Sequence, residues 1–155
     1  MTEITAAALR AMETTLLAMP PVRALQLRIA GCDGGRLRLE APLAANVNDK
    51  GTAFGGSLVS LMTLAAWGLT TLQVEQAGLQ AEVYVADTEV RYLAPLRSDL
   101  RAEAWLDEDA TWESFIDTLR ARGRARATML SRVLLPDGGV ATQARARYAA
   151  ILKPA

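Results

Sequence analysis

Residues 53–74, "AFGGSLVSLMTLAAWGLTTLQV", include no charged residue. These 22 residues are enough for a membrane-spanning helix. A helix buried inside a soluble fold explains the same pattern, because its apolar residues lie nearly all round the axis. The polar and turn-prone segment "NVNDKG" (46–51) precedes it. We therefore expect a buried helix over 56–76, with Gly78 as its C-cap and a polar loop at its start.

The segments before this helix predict one further helix and a hairpin. Apolar residues at helical spacing over 3–18 indicate an amphipathic helix that ends at "MPP". Residues 22–29 and 36–41 alternate apolar with polar side chains, as strands do. "GCDGG" (31–35) between them is a strong turn signal.

The segments after the helix predict mostly strand. The expected strands cover 83–93, 99–107, 122–135 and 140–152, with a hairpin at "PDGG" (136–139). Residues 107–121 allow a short helical turn capped by Asp109 or Thr111. Strands and helices do not alternate regularly, so a parallel doubly wound sheet is not expected. The pattern favours an α+β fold in one domain over 1–155, with an antiparallel sheet of about five to six strands around the central helix.

The late strands carry charged residues at alternate positions, which predicts a sheet with one wet face. The charges are Arg122, Arg124 and Arg126, Arg145 and Arg147, Arg101 and Glu103, and Glu89 and Arg91. Two interpretations stay open: a solvated surface with cross-strand ion pairs, or a docking strip for the phosphates of a coenzyme.

Composition excludes several kinds of chemistry. The chain has no histidine, which removes Ser-His-Asp and Cys-His catalysis and most zinc sites, so no metal is implied. Its 17 basic and 17 acidic residues balance, so neither nucleic acid nor an anionic membrane is expected as a partner. One cysteine, Cys32, and no export signal at the start favour a cytoplasmic location.

Together with this topology, "NVNDKGTAFGGSLVSLMTLAAWGL" (46–69) and "VRYLAPLRSDL" (90–100) resemble the hotdog-fold acyl-CoA thioesterases. The block is most similar to the thioesterase domain that some bacterial proteins carry behind an acetyltransferase domain. In the phenylacetate-pathway branch the motif is Asn-x-x-Gly-x-x-His-Gly-Gly. Asn48, Gly51, Gly55 and Gly56 match its spacing, and Phe54 stands in place of its histidine.

The resemblance implies hydrolysis of an acyl-CoA or acyl-carrier-protein thioester by water, without a cofactor beyond the coenzyme A of the substrate. It places the oxyanion on the N–H of Gly55, beside Gly56, and gives Asn48 the task of orienting the reactants. The first N–H groups of a helix suit this role because they lack intrahelical partners and lie at its positive end. It also implies a homodimer or a dimer of dimers, with sites between subunits.

The general base departs from the family pattern. Relatives carry a carboxylate at the position of Thr63, and threonine is a poor base at neutral pH. Asp49 in the loop and Asp87 in a strand are possible substitutes. Alternatively, Asn48 and Thr63 bind water without a strong base. The other function class is then a non-catalytic acyl-thioester binding or interaction module.

Other residues are candidates for substrate contacts. Lys50 is a candidate for a phosphate contact, and Phe54 and Asp87 are further candidates. Small residues at helical spacing indicate either an acyl groove or close packing of helix on sheet: Ser57, Ser60, Thr63, Ala66 and Thr70. Ser57 is equally able to act as a cap.

Overall fold

The computed structural model describes residues 3–154 and shows one antiparallel sheet packed on one long helix. The sheet order is β1-β2-β4-β5-β6-β3. The strands are β1 (Arg28–Asp33), β2 (Arg36–Ala41), β3 (Ala81–Tyr92), β4 (Leu100–Leu106), β5 (Arg124–Leu134) and β6 (Val140–Leu152). The helices are α1 (Ala6–Leu17), α2 (Pro20–Arg23), α3 (Gly55–Gln76) and α4 (Trp112–Arg122). The prediction of an α+β fold with about six antiparallel strands is confirmed.

Helix α3 forms the centre of the core. It packs against β2, β3, β4, β5 and β6, and its most buried positions include Leu61, Ala65 and Leu69. Its mean hydropathy of 1.4 and its length suffice for a membrane span, but 67% of its apolar window is buried inside the fold. The uncharged stretch is therefore the core helix of the sheet. It ends at Gln76 with Ala77 as the C-cap, and Gly78 follows with φ of 77°, as expected for a glycine after a helix.

The hairpin near the N-terminus differs from the prediction. Residues 20–23 form α2 because the two prolines suit the first turn of a helix, so β1 begins at Arg28 rather than at 22. The turn comprises Gly34 and Gly35, both with positive φ, and Cys32 lies within β1. These two glycines supply the backbone conformation that a two-residue hairpin requires.

Helix α4 is longer than the expected turn. Thr111 caps it by accepting a hydrogen bond from the Ser114 N–H at 3.1 Å, and Gly123 ends it with φ of 75°. Trp112, Phe115, Ile116 and Leu119 provide its buried side. Arg122 is the last residue of this helix, so its expected place on a strand was wrong.

The alternation of β5 and β6 shows how the sheet divides its two faces. In β6, Ala144, Ala146 and Tyr148 are buried against the core, whereas Arg145 and Arg147 are exposed on the other face. We call the side of the sheet that faces α3 the inner face and the opposite side the outer face. The prediction of one apolar and one charged face is confirmed for these strands.

Candidate active site

The loop before α3 is held in place by backbone and side-chain hydrogen bonds. The side-chain amide of Asn46 donates to the carbonyl oxygens of Leu25 at 3.0 Å and Pro42 at 2.8 Å. The carbonyl oxygen of Asn46 accepts from the N–H of Phe54 at 2.7 Å, and the N–H of Ala53 donates to the carbonyl oxygen of Leu96 at 2.8 Å. The start of α3 is thereby fixed to the loop after α2 and to the loop between β3 and β4.

Asn48 shapes this loop. Its side-chain oxygen accepts from the N–H groups of Lys50 at 2.8 Å and Thr52 at 3.1 Å, and its amide nitrogen donates to Thr52 Oγ1 at 2.7 Å. Gly51 takes a φ of 78° within the turn. Most of the hydrogen-bonding capacity of Asn48 is therefore used inside the loop, and one N–H of its amide group remains for another partner.

The first turn of α3 presents backbone donors that the fold does not use. Within residues 3–154, the N–H groups of Gly55, Gly56 and Ser57 have no hydrogen-bond acceptor, and no side chain caps the helix at Phe54. These groups lie at the positive end of a 22-residue helix. An oxygen that carries negative charge is the natural partner for such an arrangement.

Two exposed aromatic rings lie on either side of these donors. A Cβ atom added to Gly56 would lie 2.5 Å from the ring of Phe54, so this ring rests directly on the glycine. A Cβ added to Gly55 would lie 3.3 Å from the ring of Tyr92, whose hydroxyl donates to the carbonyl oxygen of Gly55 at 3.1 Å. Phe54 is 55% exposed and Tyr92 is 58% exposed. A side chain at Gly56 would displace the Phe54 ring, and one at Gly55 would push the Tyr92 ring back by a few tenths of an ångström.

Tyr92 was not among the predicted site residues. Val83 and Val90 lie on the inner face of β3, before and after the bulge at 85–87. Tyr92 is two residues after Val90, so the alternation of the strand predicts that its side chain points to the same face. Its contact with Gly55 depends on where the end of β3 meets the helix start, which no sequence pattern specifies.

The small residues of α3 fall into two groups. Ser57, Ala66 and Thr70 are buried, and Thr70 donates to the carbonyl oxygen of Ala66 at 2.9 Å. Ser60 and Thr63 are half-buried and lie on the side of the helix that the sheet leaves partly open. The carbonyl oxygen of Thr63 accepts from the hydroxyl of the buried Tyr148 at 3.3 Å. Burial raises the pKa of Tyr148 to about 12.

The candidate bases lie in two different environments. Asp49 is an exposed loop residue paired with the ammonium group of Lys50 at 2.8 Å. Asp87 lies on the outer face, where Arg147 donates to both of its carboxylate oxygens. This hydrogen bonding lowers the pKa of Asp87 below its usual value. The structure thus places Asp49 in the motif loop, and Asp87 on the far side of the sheet from the start of α3.

The outer face carries a separate cluster of charges. Glu103 is only 7% exposed and accepts from Arg36 at 2.8 Å and Arg132 at 2.6 Å. The guanidinium carbons of these arginines lie 3.9 and 5.2 Å from the ring centroid of Trp105. Arg145 pairs with Asp107 at 2.7 Å. The expectation that Glu103 is solvated was wrong, because the two guanidinium groups cover it.

This clustering favours the ion-pair interpretation of the outer face. A cleft of about 310 Å³ lies there, lined in part by Trp105, Arg132 and Arg145. Both arginines are already paired with carboxylates, Arg132 with Glu103 and Arg145 with Asp107. Ion pairs therefore account for Glu103, Arg132, Arg145 and Arg147, the last of which pairs with Asp87.

The six-stranded antiparallel sheet around one central helix, with a glycine-rich loop at the helix start, defines a hotdog-type protein of the thioesterase class. Residues 10–151 match the family described as "Putative thioesterase (yiiD_Cterm)". The chain belongs to this family.

Solved structures agree with this assignment. A thioesterase described as putative, from Shewanella oneidensis, is 26% identical with a TM-score of 0.84, over 95% of this chain and 99% of that one. A Chlorobaculum tepidum protein of unknown function is 25% identical with a TM-score of 0.86, over 95% and 99% of the two chains. A thioesterase from Haemophilus influenzae, at 16% identity and a TM-score of 0.74, covers 98% of this chain and 96% of its own length and shows the shared fold. The prediction of a hotdog thioesterase relative is confirmed.

Proposed function

We propose that this protein hydrolyses acyl-CoA or acyl-carrier-protein thioesters with water. The observation that carries the proposal is the set of N–H groups at Gly55, Gly56 and Ser57 that find no acceptor within residues 3–154, in a member of a thioesterase family. Glycine at the first two positions lets a carbonyl oxygen approach the backbone closely.

In the proposed reaction, the oxygen of water bonds to the thioester carbonyl carbon and the carbonyl oxygen becomes an oxyanion. The N–H groups of Gly55 and Gly56 stabilise this charge, and in comparable sites the loss of one donor costs about 2.7–4 kcal/mol. The carbon–sulfur bond then breaks, its electron pair leaves with the sulfur, and one proton of the water passes to the resulting thiolate to give the thiol. The products are a carboxylic acid and coenzyme A or the carrier thiol, so no separate cofactor is needed.

Asp49 is the leading general base because it is the carboxylate within the motif loop. Its side chain is 79% exposed, and its pairing with Lys50 is a surface ion pair that costs little to break. The remaining amide N–H of Asn48 orients the water or the thioester oxygen, while its other bonds hold the loop. Asp87 is less suited to this task, because Arg147 already holds its carboxylate on the outer face.

The proposed substrate contacts are assigned from the exposure of the side chains near the start of α3. Lys50 is exposed in the loop and suits a phosphate of the carrier, and the exposed ring of Phe54 suits the apolar arm of the substrate. Ser60 and Thr63 lie on the partly open side of α3, where the acyl chain would run. Ser57 is only 7% exposed and contributes through its backbone N–H rather than its side chain.

We also propose that the protein assembles at least as a homodimer through β3. This 12-residue strand pairs with β6 along one edge and leaves the other edge unpaired within the described chain. Val85 and Leu93 are 45% and 55% exposed along or just beyond it. A long edge strand with exposed apolar residues is a site for pairing with another chain. Light scattering should report a dimer or a dimer of dimers, and Val85→Lys should shift it toward the monomer.

A cytoplasmic location is proposed with the same function. The single cysteine, Cys32, is free, and burial raises the pKa of its thiol. A protein of this kind does not depend on an oxidising compartment.

One observation favours a second candidate, an acyl-thioester binding module without catalysis. The partly open side of α3 carries Ser60 and Thr63 but no ionisable residue, since Glu75 near the end is the sole charged residue of this helix. A site with oxyanion donors and no base would bind a thioester without turning it over efficiently.

One assay separates the two candidates. Purified protein is incubated with acyl-CoAs of increasing chain length and with acyl-carrier proteins, and the release of free thiol is followed. Hydrolysis predicts turnover above background, which Asp49→Ala should reduce and which Glu108→Ala, at an exposed turn outside the site, should not. If no substrate turns over while several raise the melting temperature, the binding module is correct and the hydrolase proposal fails.

A further inference from the structure

We propose that Tyr92 is a positioning residue that fixes the Gly55–Gly56 peptide and strengthens the N–H of Gly56 as the oxyanion donor. The inference rests on the proposed function, because it assigns a task within the same site. It gives the stronger donor to Gly56, whereas the family resemblance places the oxyanion on the N–H of the adjacent Gly55.

The geometry connects the two ends of one peptide unit. The Tyr92 hydroxyl donates to the carbonyl oxygen of Gly55 at 3.1 Å. This carbonyl and the N–H of Gly56 belong to the same planar peptide group and point in opposite directions. A bond at the carbonyl end therefore restrains the direction in which the N–H of Gly56 points.

The same bond acts on the strength of the donor. Consecutive hydrogen bonds that share a peptide group polarise one another, and each bond is strengthened by about 10–30%. The carbonyl oxygen of Gly55 can also accept the next bond of the helical ladder, and its two lone pairs allow both. Electron density drawn toward this oxygen leaves the N–H of Gly56 more positive, so it binds an oxyanion more tightly than a neutral carbonyl.

Packing alone does not account for Tyr92. Its side chain is 58% exposed at the end of β3, so it buries little area. Its ring touches the surface of Gly55, where a Cβ would lie 3.3 Å from it. The Tyr92 ring therefore packs against Gly55, and its hydroxyl reaches the Gly55–Gly56 peptide group, whose N–H is the proposed donor.

The same strand provides a matched control. Tyr84 is 54% exposed, but its hydroxyl donates to the carboxylate of Glu82 rather than to the helix start. Tyr84→Phe therefore removes an exposed tyrosine hydroxyl from β3 without touching the peptide of Gly56. Both variants should unfold at nearly the wild-type temperature.

The first measurement is ligand-free. In ¹H–¹⁵N spectra, Tyr92→Phe should move the Gly56 amide nitrogen upfield, because a hydrogen bond to the preceding carbonyl is lost. Tyr84→Phe should leave this resonance in place. An unchanged Gly56 resonance in Tyr92→Phe would overturn the inference, whatever the enzymatic result.

The second measurement is kinetic. Tyr92→Phe should lower kcat for thiol release by about threefold to tenfold with little change in KM, as the loss of one hydrogen bond felt mainly in the transition state predicts. Tyr84→Phe should retain the wild-type kcat. A wild-type protein that turns over thioesters while Tyr92→Phe keeps its full kcat would refute the role of Tyr92 and leave the proposed function intact.

The absence of any wild-type turnover would instead defeat the proposed function. The inference is then decided by affinity for an acyl-CoA analogue in which a methylene replaces the sulfur and the carbonyl is kept. Weaker binding to Tyr92→Phe than to Tyr84→Phe would support it. Equal binding by the two variants would contradict it.

Discussion

The start of α3 and the outer face of the sheet differ in whether their polar groups are paired. On the outer face, the buried carboxylate of Glu103 is shared by two arginines that also contact Trp105. At the helix start, backbone donors at Gly55 and Gly56 lie at the positive end of the helix without an acceptor in residues 3–154. Charge that is already paired stabilises the fold, whereas donors that remain free are available to a ligand.

The two regions also differ in how they carry aromatic rings. Trp105 is half-buried beneath guanidinium groups, as cation–π packing requires. Phe54 and Tyr92 are more than half exposed, although each lies against a glycine of α3. In the proposed function, these exposed rings lie where substrate or a second subunit would cover the surface.

The largest expected effect comes from restoring a carboxylate to the helix. Thr63→Asp places one on the partly open side of α3, at the position where the family resemblance implies a carboxylate. We expect kcat for thiol release to rise by about 100-fold or more, since a positioned general base contributes roughly 10²–10⁴. Thr118→Asp, a half-buried position on α4, is the control and should not change turnover. Equal rates in the wild type and Thr63→Asp would show that Thr63 does not face the reacting carbonyl.

The next effect concerns the outer face. Glu103→Gln removes the negative charge that Arg36 and Arg132 share, so the free energy of unfolding should fall by about 2 kcal/mol. This loss is smaller than for a fully buried ion pair, because both arginines are partly exposed. Urea denaturation measures this loss, and Glu89→Gln, which is exposed, is the control. Turnover per folded molecule should stay at the wild-type value. A large drop in kcat with unchanged stability would instead place substrate on the outer face.

A smaller effect belongs to Tyr148, which joins β6 to α3. Tyr148→Phe removes the long bond to the Thr63 carbonyl and should cost about 0.5–1 kcal/mol of unfolding free energy. Because the pKa of Tyr148 is raised to about 12 in the fold, its contribution is present below pH 10 and is lost as pH rises toward 12. Wild-type stability should fall over this window more steeply than that of Tyr148→Phe. Parallel curves for the two proteins would refute the raised pKa.

The smallest effect is expected at Asp87. The guanidinium of Arg147 lowers the pKa of this carboxyl, so the pair stabilises the fold above the usual aspartate pKa and the contribution is lost as pH falls through the lowered value. Both side chains are about half exposed, so Asp87→Asn should shift the melting temperature only slightly at pH 7 and not at all at low pH. Acid-titrated melting curves test this. A clear loss of thiol release in Asp87→Asn would instead restore Asp87 as a functional group.

The sequence predicted the central helix and the sheet well because both depend on local periodicity. The uncharged stretch and the alternation over 140–152 each have a single simple explanation in terms of burial. The first hairpin was less predictable, because Pro20 and Pro21 begin a short helix in a segment that also alternates like a strand. Local competition of this kind is resolved only by tertiary packing.

The site was predictable in its backbone and not in its contacts. The motif predicts Gly55 and Gly56, and their position at a helix start predicts that their N–H groups lack intrahelical partners. The engagement of Asn48 with Thr52 and the reach of Tyr92 to Gly55 depend on how distant segments meet. Glu103 shows the same limit, since its alternation with Arg101 indicates solvent but its neighbours on β2 and β5 enclose it.

The central claim is that the free donors of α3 receive the thioester carbonyl, and an NMR titration tests it most directly. The acyl-CoA analogue with a methylene in place of sulfur is titrated into ¹⁵N-labelled wild-type protein, and the backbone amides are followed. We expect the amide protons of Gly55 and Gly56 to move downfield as the carbonyl accepts from them, while the amides of Arg132 and Trp105 on the outer face stay unchanged. Saturable shifts confined to the outer face, with Gly55 and Gly56 unmoved, would contradict it.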